Sequence, residues 1–269
     1  MITRSLAVAY IIFILVLPLC GLVWQSSQRP LGELLPVLTD PVALETYKLT
    51  FGTALVSGLI NSVLGGLLAW VLVRYEFWGK RLVDGLVDLP FAMPTVIAGI
   101  SLVSLYTAEG AIGKPLGRVL ASLGFGEVNL TASVFGVLLS QLFVTLPFVV
   151  RTLQPVLLEL EPEVEEAAAL LGANRWQTFT RIIFPQILPA VLAGFALAVA
   201  RAIGEYGVVV LVSGNIPYET LVATVYVYQR LEEFDYVGAT AVAGLLIVVS
   251  LALLGIINFW QWWSRRYLL

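Results

Sequence analysis

Residues 49–73 read LTFGTALVSGLINSVLGGLLAWVLV, twenty-five consecutive positions without a charge. A hydrocarbon core about 30 Å thick takes roughly 20 helical residues to cross, and this run is long enough. In lipid the backbone N–H and C=O groups find no partners outside the segment, so a spanning segment of this kind has to be an α-helix.

Working outward, four more uncharged stretches reach that length: Ser5–Gln28, Leu89–Ala108, Leu130–Val150 and Gly238–Phe259. Another, Pro189–Gly214, is interrupted only by Arg201 and Glu205. The expectation is an all-α, polytopic membrane protein of about six helices, with a seventh span if Leu221–Tyr228 dips into the membrane. A transmembrane β-barrel would instead show short segments of alternating polarity.

Composition agrees. The chain has 269 residues, 59% of them hydrophobic and only 12% charged, where a soluble domain carries about a quarter charged. Met1-Ile2-Thr3-Arg4 and the apolar run behind it imitate a signal peptide or a lipid-attachment site at Cys20. No small-residue cleavage pattern precedes that cysteine, and the apolar run continues to Val23-Trp24, so an uncleaved first span is expected. One cysteine and no histidine exclude a disulfide framework, most zinc sites and every histidine-based triad.

Orientation follows from the basic residues. With the N-terminus cytoplasmic, the inner segments hold nine: Arg4, Arg74, Lys80, Arg81, Arg151, Arg175, Arg181, Arg265 and Arg266. The outer segments hold five: Arg29, Lys48, Lys114, Arg118 and Arg230. This bias places both termini in the cytoplasm. Trp260, Trp262 and Trp263 then fall at the inner interface, beside Arg265 and Arg266.

Under that topology the longest cytoplasmic connection runs from Arg151 to about Pro185, and it reads as structured. Pro162 suits a first helical turn, and Glu163, Glu165 and Glu166 favour the positive end of the helix dipole. Ala167 to Leu171 are strong helix formers, and Gly172 is a natural stop. Asn174 can cap a second helix, on which Trp176, Phe179, Thr180 and Ile183 share one face. Such a glycine-broken helical pair either packs on its own bundle or docks a partner.

The stretch Glu166-Ala167-Ala168, three residues, Gly172, nine residues, then Ile182-Ile183-Phe184-Pro185 resembles the EAA loop of binding-protein-dependent ABC importer permeases. Phe184 stands where that family usually has leucine, which keeps an apolar residue before the proline. Over nearly the whole chain the sequence is similar to sulfate/thiosulfate permease subunits of the CysT type, through Asp88–Thr95, Leu146–Pro155, Ala200–Gly207, Ser213–Pro217 and Phe234–Thr240. Molybdate permeases share the loop and an Arg-x-x-Gly-Glu segment but usually lack a counterpart of Phe234–Thr240.

The resemblance implies a single type I ABC importer transmembrane domain over residues 1–269, with a coupling loop at about 159–185. In it Glu166, Ala167, Ala168 and Gly172 shape the turn. Leu171, Ala173, Asn174 and Arg175 touch the ATPase, and Pro185 closes the motif. The implied partners are a homologous second permease subunit, two ABC ATPase subunits, a periplasmic sulfate- or thiosulfate-binding protein and the lipid bilayer of a bacterial inner membrane. No nucleic acid is implied. The chain has no G-x-x-x-x-G-K-[ST] phosphate loop, because Gly79-Lys80-Arg81 and Gly113-Lys114-Pro115 fail the pattern. ATP and magnesium are therefore expected on the partner ATPase, with no cofactor here and no enzyme activity.

Within the spans, Arg201 and Glu205 lie one helical turn apart. They either line an anion path or form an internal ion pair. Ala196, Ala200 and Gly204, and beside them Gly194, Ala198 and Ala202, form small-residue ladders that let helices approach closely. Pro90 and Pro94 are expected to kink the third span, and Pro147 the fourth, either for packing or to line a cavity. Asn61, Ser57 and Thr95 face the pathway or satisfy neighbouring backbone groups. Two other functions stay in view: a molybdate or tungstate permease, and a gradient-driven anion carrier, against which the EAA loop argues.

Overall fold

The computed structural model describes residues 2–18, 20–21, 24, 30–122, 124 and 130–265. Every regular element among the described residues is helical. The chain opens with α1 (Ile2–Ile11), a π-helical turn at Ile12–Val16 and α2 (Leu31–Leu38). The remainder of the expected first span, Leu19, Leu22, Val23 and residues 25–28, lies outside the described residues, as do Arg29 and Arg266. So do the side chains of Arg4, Trp260, Trp262, Trp263 and Arg265.

Asp40 starts α3 (Pro41–Arg74), its carboxylate accepting the Val42 N–H at 2.8 Å while Pro41 takes a first-turn position. This cap begins the helix well before the Leu49 boundary set by hydropathy, in a stretch that carries Glu45 and Lys48. The chain then runs through α4 (Lys80–Val87), α5 (Leu89–Ala92), α6 (Thr95–Tyr106) and α7 (Gly113–Ser122). The third span expected over Leu89–Ala108 is thus broken rather than kinked. Met93 and Pro94 are extended, with ψ of 136° and 133°, because proline disfavours helical backbone in the residue before it. Pro90 causes no kink, since it lies in the first turn of α5.

Ser133 caps α8 (Val134–Leu158), accepting the Gly136 N–H; this helix runs past the expected end at Val150 and passes Pro147 and Pro155 without interruption. Next come α9 (Pro162–Leu170), α10 (Arg175–Thr178), a π-helical turn at Phe179–Ile183 and α11 (Phe184–Ile203), the last three forming one rod. The chain ends with α12 (Val209–Val212), α13 (Ala223–Glu232) and α14 (Tyr236–Arg265). At ten residues α13 is only about 15 Å long, so Leu221–Tyr228 makes no seventh span. It folds back instead, burying Val225 and Tyr226 among residues of α3 and α14.

Among the described residues four helices are long and apolar enough to cross a membrane: α3, α8, the Arg175–Ile203 rod and α14. Large apolar side chains such as Leu59, Val63, Val248 and Ile256 stay exposed on them, as lipid-facing surface should. Lipid tails are as apolar as leucine, so close fit rather than water exclusion holds these helices together. Val149 of α8 supplies that fit on two sides. A Cβ at Gly65 of α3 would lie 3.3 Å from its side chain, and one at Gly194 of α11 would lie 3.1 Å from its Cα. Asn61 of α3 reinforces the seam, its Nδ2 donating to Leu142 O at 2.9 Å and Thr145 Oγ1 at 2.8 Å. Ser57 donates to Ala54 O in its own helix.

The two small-residue ladders of α11 are buried to different extents. Gly194, Ala198 and Ala202 are all buried within the chain, and of the other ladder Ala196 is. Ala200 and Gly204 border an apolar cavity of about 420 Å³, shared with Thr224, Ala243 and Ser250.

Candidate functional site

The link between α8 and α11 forms as the sequence predicts. Pro162 opens α9, and Leu171 ends it. Gly172 takes φ +84°, a left-handed angle that costs other residues energy. There its N–H donates to Ala169 O and the Ala173 N–H donates to Ala168 O, each at 3.0 Å. That pair of bonds is a Schellman motif, which satisfies carbonyls the helix end would leave bare. Asn174 then starts α10: its side chain accepts the Gln177 N–H at 2.8 Å, and Gln177 Oε1 accepts the Asn174 N–H at 2.9 Å. This capping box locks the turn with bonds of sequence separation three.

At this turn the chain turns apolar side chains outward. Leu170, Leu171 and Trp176 are 89%, 90% and 72% exposed. Glu166, Ala167, Asn174 and Arg175 are exposed, Ala173 and Pro185 half-buried, and Ala168 is buried. Of the face expected for Trp176, Phe179, Thr180 and Ile183, Trp176 stacks on Phe179 at 6.1 Å, but burial varies along it. Ile183 is buried and Phe179 packs inward, whereas Trp176 stays exposed. Trp176 lies in the first turn of α10, and the π-helical turn follows at 179–183.

Two contacts missed by the sequence reading fasten this link to the bundle, joined by a third within α3. Arg74 Nη2 at the end of α3 meets Glu165 Oε1 of α9 at 2.6 Å. The guanidinium lies 5.0 Å from the centre of the Trp70 ring, and that indole meets Phe179 edge-on at 5.9 Å. A cation four residues beyond a tryptophan at the end of an apolar run was the available signal.

Nearby, Arg151 of α8 clamps the α4–α5 elbow. Its Nε and Nη2 donate to the two carboxylate oxygens of Asp88 at 2.7 and 2.6 Å, and Nη1 donates to Asp84 Oδ1 at 2.6 Å. Gln154 Nε2 also donates to Asp84 Oδ1. The Gln154 hydrogen bond, followed by Arg151, holds the Asp84 carboxyl below its usual range.

The second predicted cluster lies where the third and fifth spans break. Helix α11 ends at Ile203, so Glu205 is not one helical turn above Arg201 on a continuous helix. It is reached by the departing chain and is 2% exposed. Its Oε2 meets Arg201 Nη1 at 2.6 Å, its Oε1 accepts the Val208 N–H at 2.9 Å, and its backbone carbonyl accepts from Thr224 Oγ1 at 2.7 Å. These bonds support the internal ion-pair reading.

The breaks meet each other. A Cβ on Gly207 would collide with Thr95 Oγ1, and one on Gly99 would come within 3.2 Å of Val208 O. Pro94 therefore starts α6 against the interrupted fifth span, with no side-chain cap on the helix N-terminus. Pro90 lies a turn away in α5. Among the described residues, no cluster of three or more His, Cys, Asp or Glu could hold a metal ion.

Residues 61–261 match the family described as binding-protein-dependent transport system inner membrane component. The chain is 49% identical, over 97% of its length and 88% of the relative's, to a sulfate transport system permease protein of Synechocystis sp.. It is 47% identical to a probable sulfate transport system permease protein of Nephroselmis olivacea, over 98% of this chain and 90% of that one. A chain of a bacterial alginate ABC transporter, crystallised with its alginate pentasaccharide-bound periplasmic protein, shares the fold: TM-score 0.75 at 22% identity, covering 96% of this chain and 91% of the other.

Proposed function

Because the chain belongs to the family of binding-protein-dependent transport system inner membrane components, we propose that it is the permease subunit through which an ATP-driven importer moves sulfate, and thiosulfate, into the cytoplasm. A family member of this kind is a multi-pass inner-membrane protein and a transport component, not an enzyme. The sulfate assignment rests on relatives named for that transport at 47% and 49% identity.

One observation carries the role of the loop: the glycine-hinged pair α9–α10 leaves Leu170, Leu171 and Trp176 largely exposed. Contiguous exposed apolar side chains mark an interaction surface. In this reading residues 159–185 of a single 1–269 domain form the coupling loop and face the cytoplasm, as do both termini. Glu166, Ala167, Ala168, Leu171, Gly172, Ala173, Asn174 and Arg175 seat in an ATPase subunit, with Pro185 setting the exit into α11. Two ATPase subunits bind ATP and magnesium. A homologous permease and a periplasmic sulfate- or thiosulfate-binding protein complete the assembly.

The translocation path runs past the paired breaks. Pro94 and Thr95 set the α6 N-terminus, whose uncapped N–H groups suit an anion, and Pro90 borders it from α5. Arg201 is neutralised by Glu205 and so holds the path open rather than trapping a divalent anion. ATP binding closes the ATPases, draws the coupling loops together and opens the cavity outward; hydrolysis and release reverse the movement.

Labelled sulfate uptake in cells lacking this subunit, with and without excess molybdate and thiosulfate, tests the substrate. Uptake restored by the gene, and inhibited by excess thiosulfate but not by molybdate, is expected. Equal uptake in deleted and complemented cells would rule out the assignment. Gly172→Leu should lose both ATPase association and uptake; a self-sufficient carrier would keep transporting.

A further inference from the structure

We infer that Arg74 and Trp70, at the end of α3, are positioning residues that couple the loop's movement to the outer half of the protein, with α3 as the transmission rod. This rests on the coupling role proposed for the loop.

The loop grips one turn of α3 from both sides of its glycine hinge. Arg74 holds Glu165 of α9 at 2.6 Å, and Trp70, four residues earlier, meets Phe179 just beyond α10 at 5.9 Å. Residues four apart share one helix face, and the guanidinium lies over the indole, so the two grips form a single contact chain. Phe179 continues it by stacking on Trp176 at 6.1 Å. The Arg74 and Glu165 side chains are 21% and 31% exposed, so water screens this pair only in part.

What α3 does with that grip follows from its continuity. It is 34 residues long without an internal proline, about 51 Å end to end. Near its other end, Thr50 Oγ1 accepts the Ala223 N–H at 2.8 Å, fixing the start of α13. Ala43, Tyr47 and Ala54 pack in the same cluster as Leu221, Val222 and Tyr226. The third span is broken at Met93 and Pro94 and the fifth ends at Ile203, whereas α3 runs unbroken from the loop contact to the cluster around α13. An unbroken helix moves as one body; a broken one absorbs displacement at its hinge. A shift of α9 therefore reaches α13 through α3 directly.

The test uses the complete transporter in proteoliposomes with its binding protein, measuring ATP hydrolysed per labelled sulfate imported. Arg74→Gln is expected to keep the ATPase subunits associated while raising that ratio about fivefold. The charge exchange Arg74→Glu with Glu165→Arg should bring it back toward wild type. A second route avoids reliance on one variant. In a Cys20→Ser background, Arg74→Cys with Glu165→Cys should show the raised ratio, and bridging the two thiols with a short bismaleimide should restore it. An unchanged ratio in Arg74→Gln, a parallel fall of hydrolysis and transport, or transport blocked by the bridge would each overturn the inference. Failure of the underlying loop assignment looks different: Gly172→Leu would then leave ATPase association intact.

Discussion

The loop at 159–185 and the paired breaks near Thr95 and Gly207 both interrupt regular helix, yet they are built in opposite ways. In the loop, backbone bonds are closed by neighbours in sequence: Ala173 to Ala168, Asn174 with Gln177. Leu170 and Leu171 are left almost fully exposed, and Trp176 is mostly so although it stacks on Phe179. At the breaks the reverse holds. The buried carboxylate of Glu205 is satisfied by Arg201 and Val208, and its carbonyl by Thr224 nineteen residues away. A region whose polar groups are all answered internally maintains shape. A region whose backbone is self-sufficient while its leucines stay exposed fits the partner-docking role proposed for it.

The most severe way to break this contrast is Glu205→Ala. It strands Arg201 and an internal N–H, and removal of one partner from a buried pair costs about 3–5 kcal/mol. The lower end is expected because the Arg201 side chain is 32% exposed. Thermal unfolding of the purified complex should show the loss, and Glu205→Gln, which still accepts from Val208, should lose less. Unchanged stability in the alanine variant would mean the break is held by something else.

Gly207→Ala comes next, at about 1–3 kcal/mol from crowding Thr95. Adding Thr95→Gly should recover part of it, and strict additivity of the two changes would argue against contact between the breaks. Asn174→Ala removes half of the capping box, and about 1 kcal/mol of local stability should go with it. Faster amide hydrogen exchange should appear in α10 and not in the breaks.

Smallest in stability is Leu171→Ser, within about 0.5 kcal/mol because the side chain is exposed, though it should sharply reduce ATPase co-purification. A stability loss as large as that of Glu205→Ala would erase the distinction between the two regions.

A pH series adds an independent check on the elbow beside the loop. Asp84 has a folded-state pKa below its unfolded value, so its contribution is fully present above roughly pH 4–5 and declines as pH falls through the folded value. Asp84→Asn should flatten only that acid limb of the stability curve.

Much of this was legible in the chain itself. Pro162, Gly172 and Asn174 announce the helix pair because caps and left-handed turns act over three to five residues. The long uncharged runs announce spans, although Asp40 and Ser133 set the real starts of α3 and α8 by capping, which hydropathy does not register. What the sequence hid were contacts across the bundle: Arg74 with Glu165, Arg151 with Asp84 and Asp88, Thr95 against Gly207. No local pattern marks a partner sixty or more residues away.

By itself, then, the sequence determined a helical membrane protein with a capped, glycine-hinged loop, since lipid forces backbone bonds into local helices and caps work at short range. Only the tertiary structure decided that the third and fifth spans break against each other, that Glu205 is answered within the chain, and that α3 is gripped by the loop. Those outcomes depend on which faces meet when the helices pack, and packing is fixed by the fit of distant side chains rather than by their order along the chain.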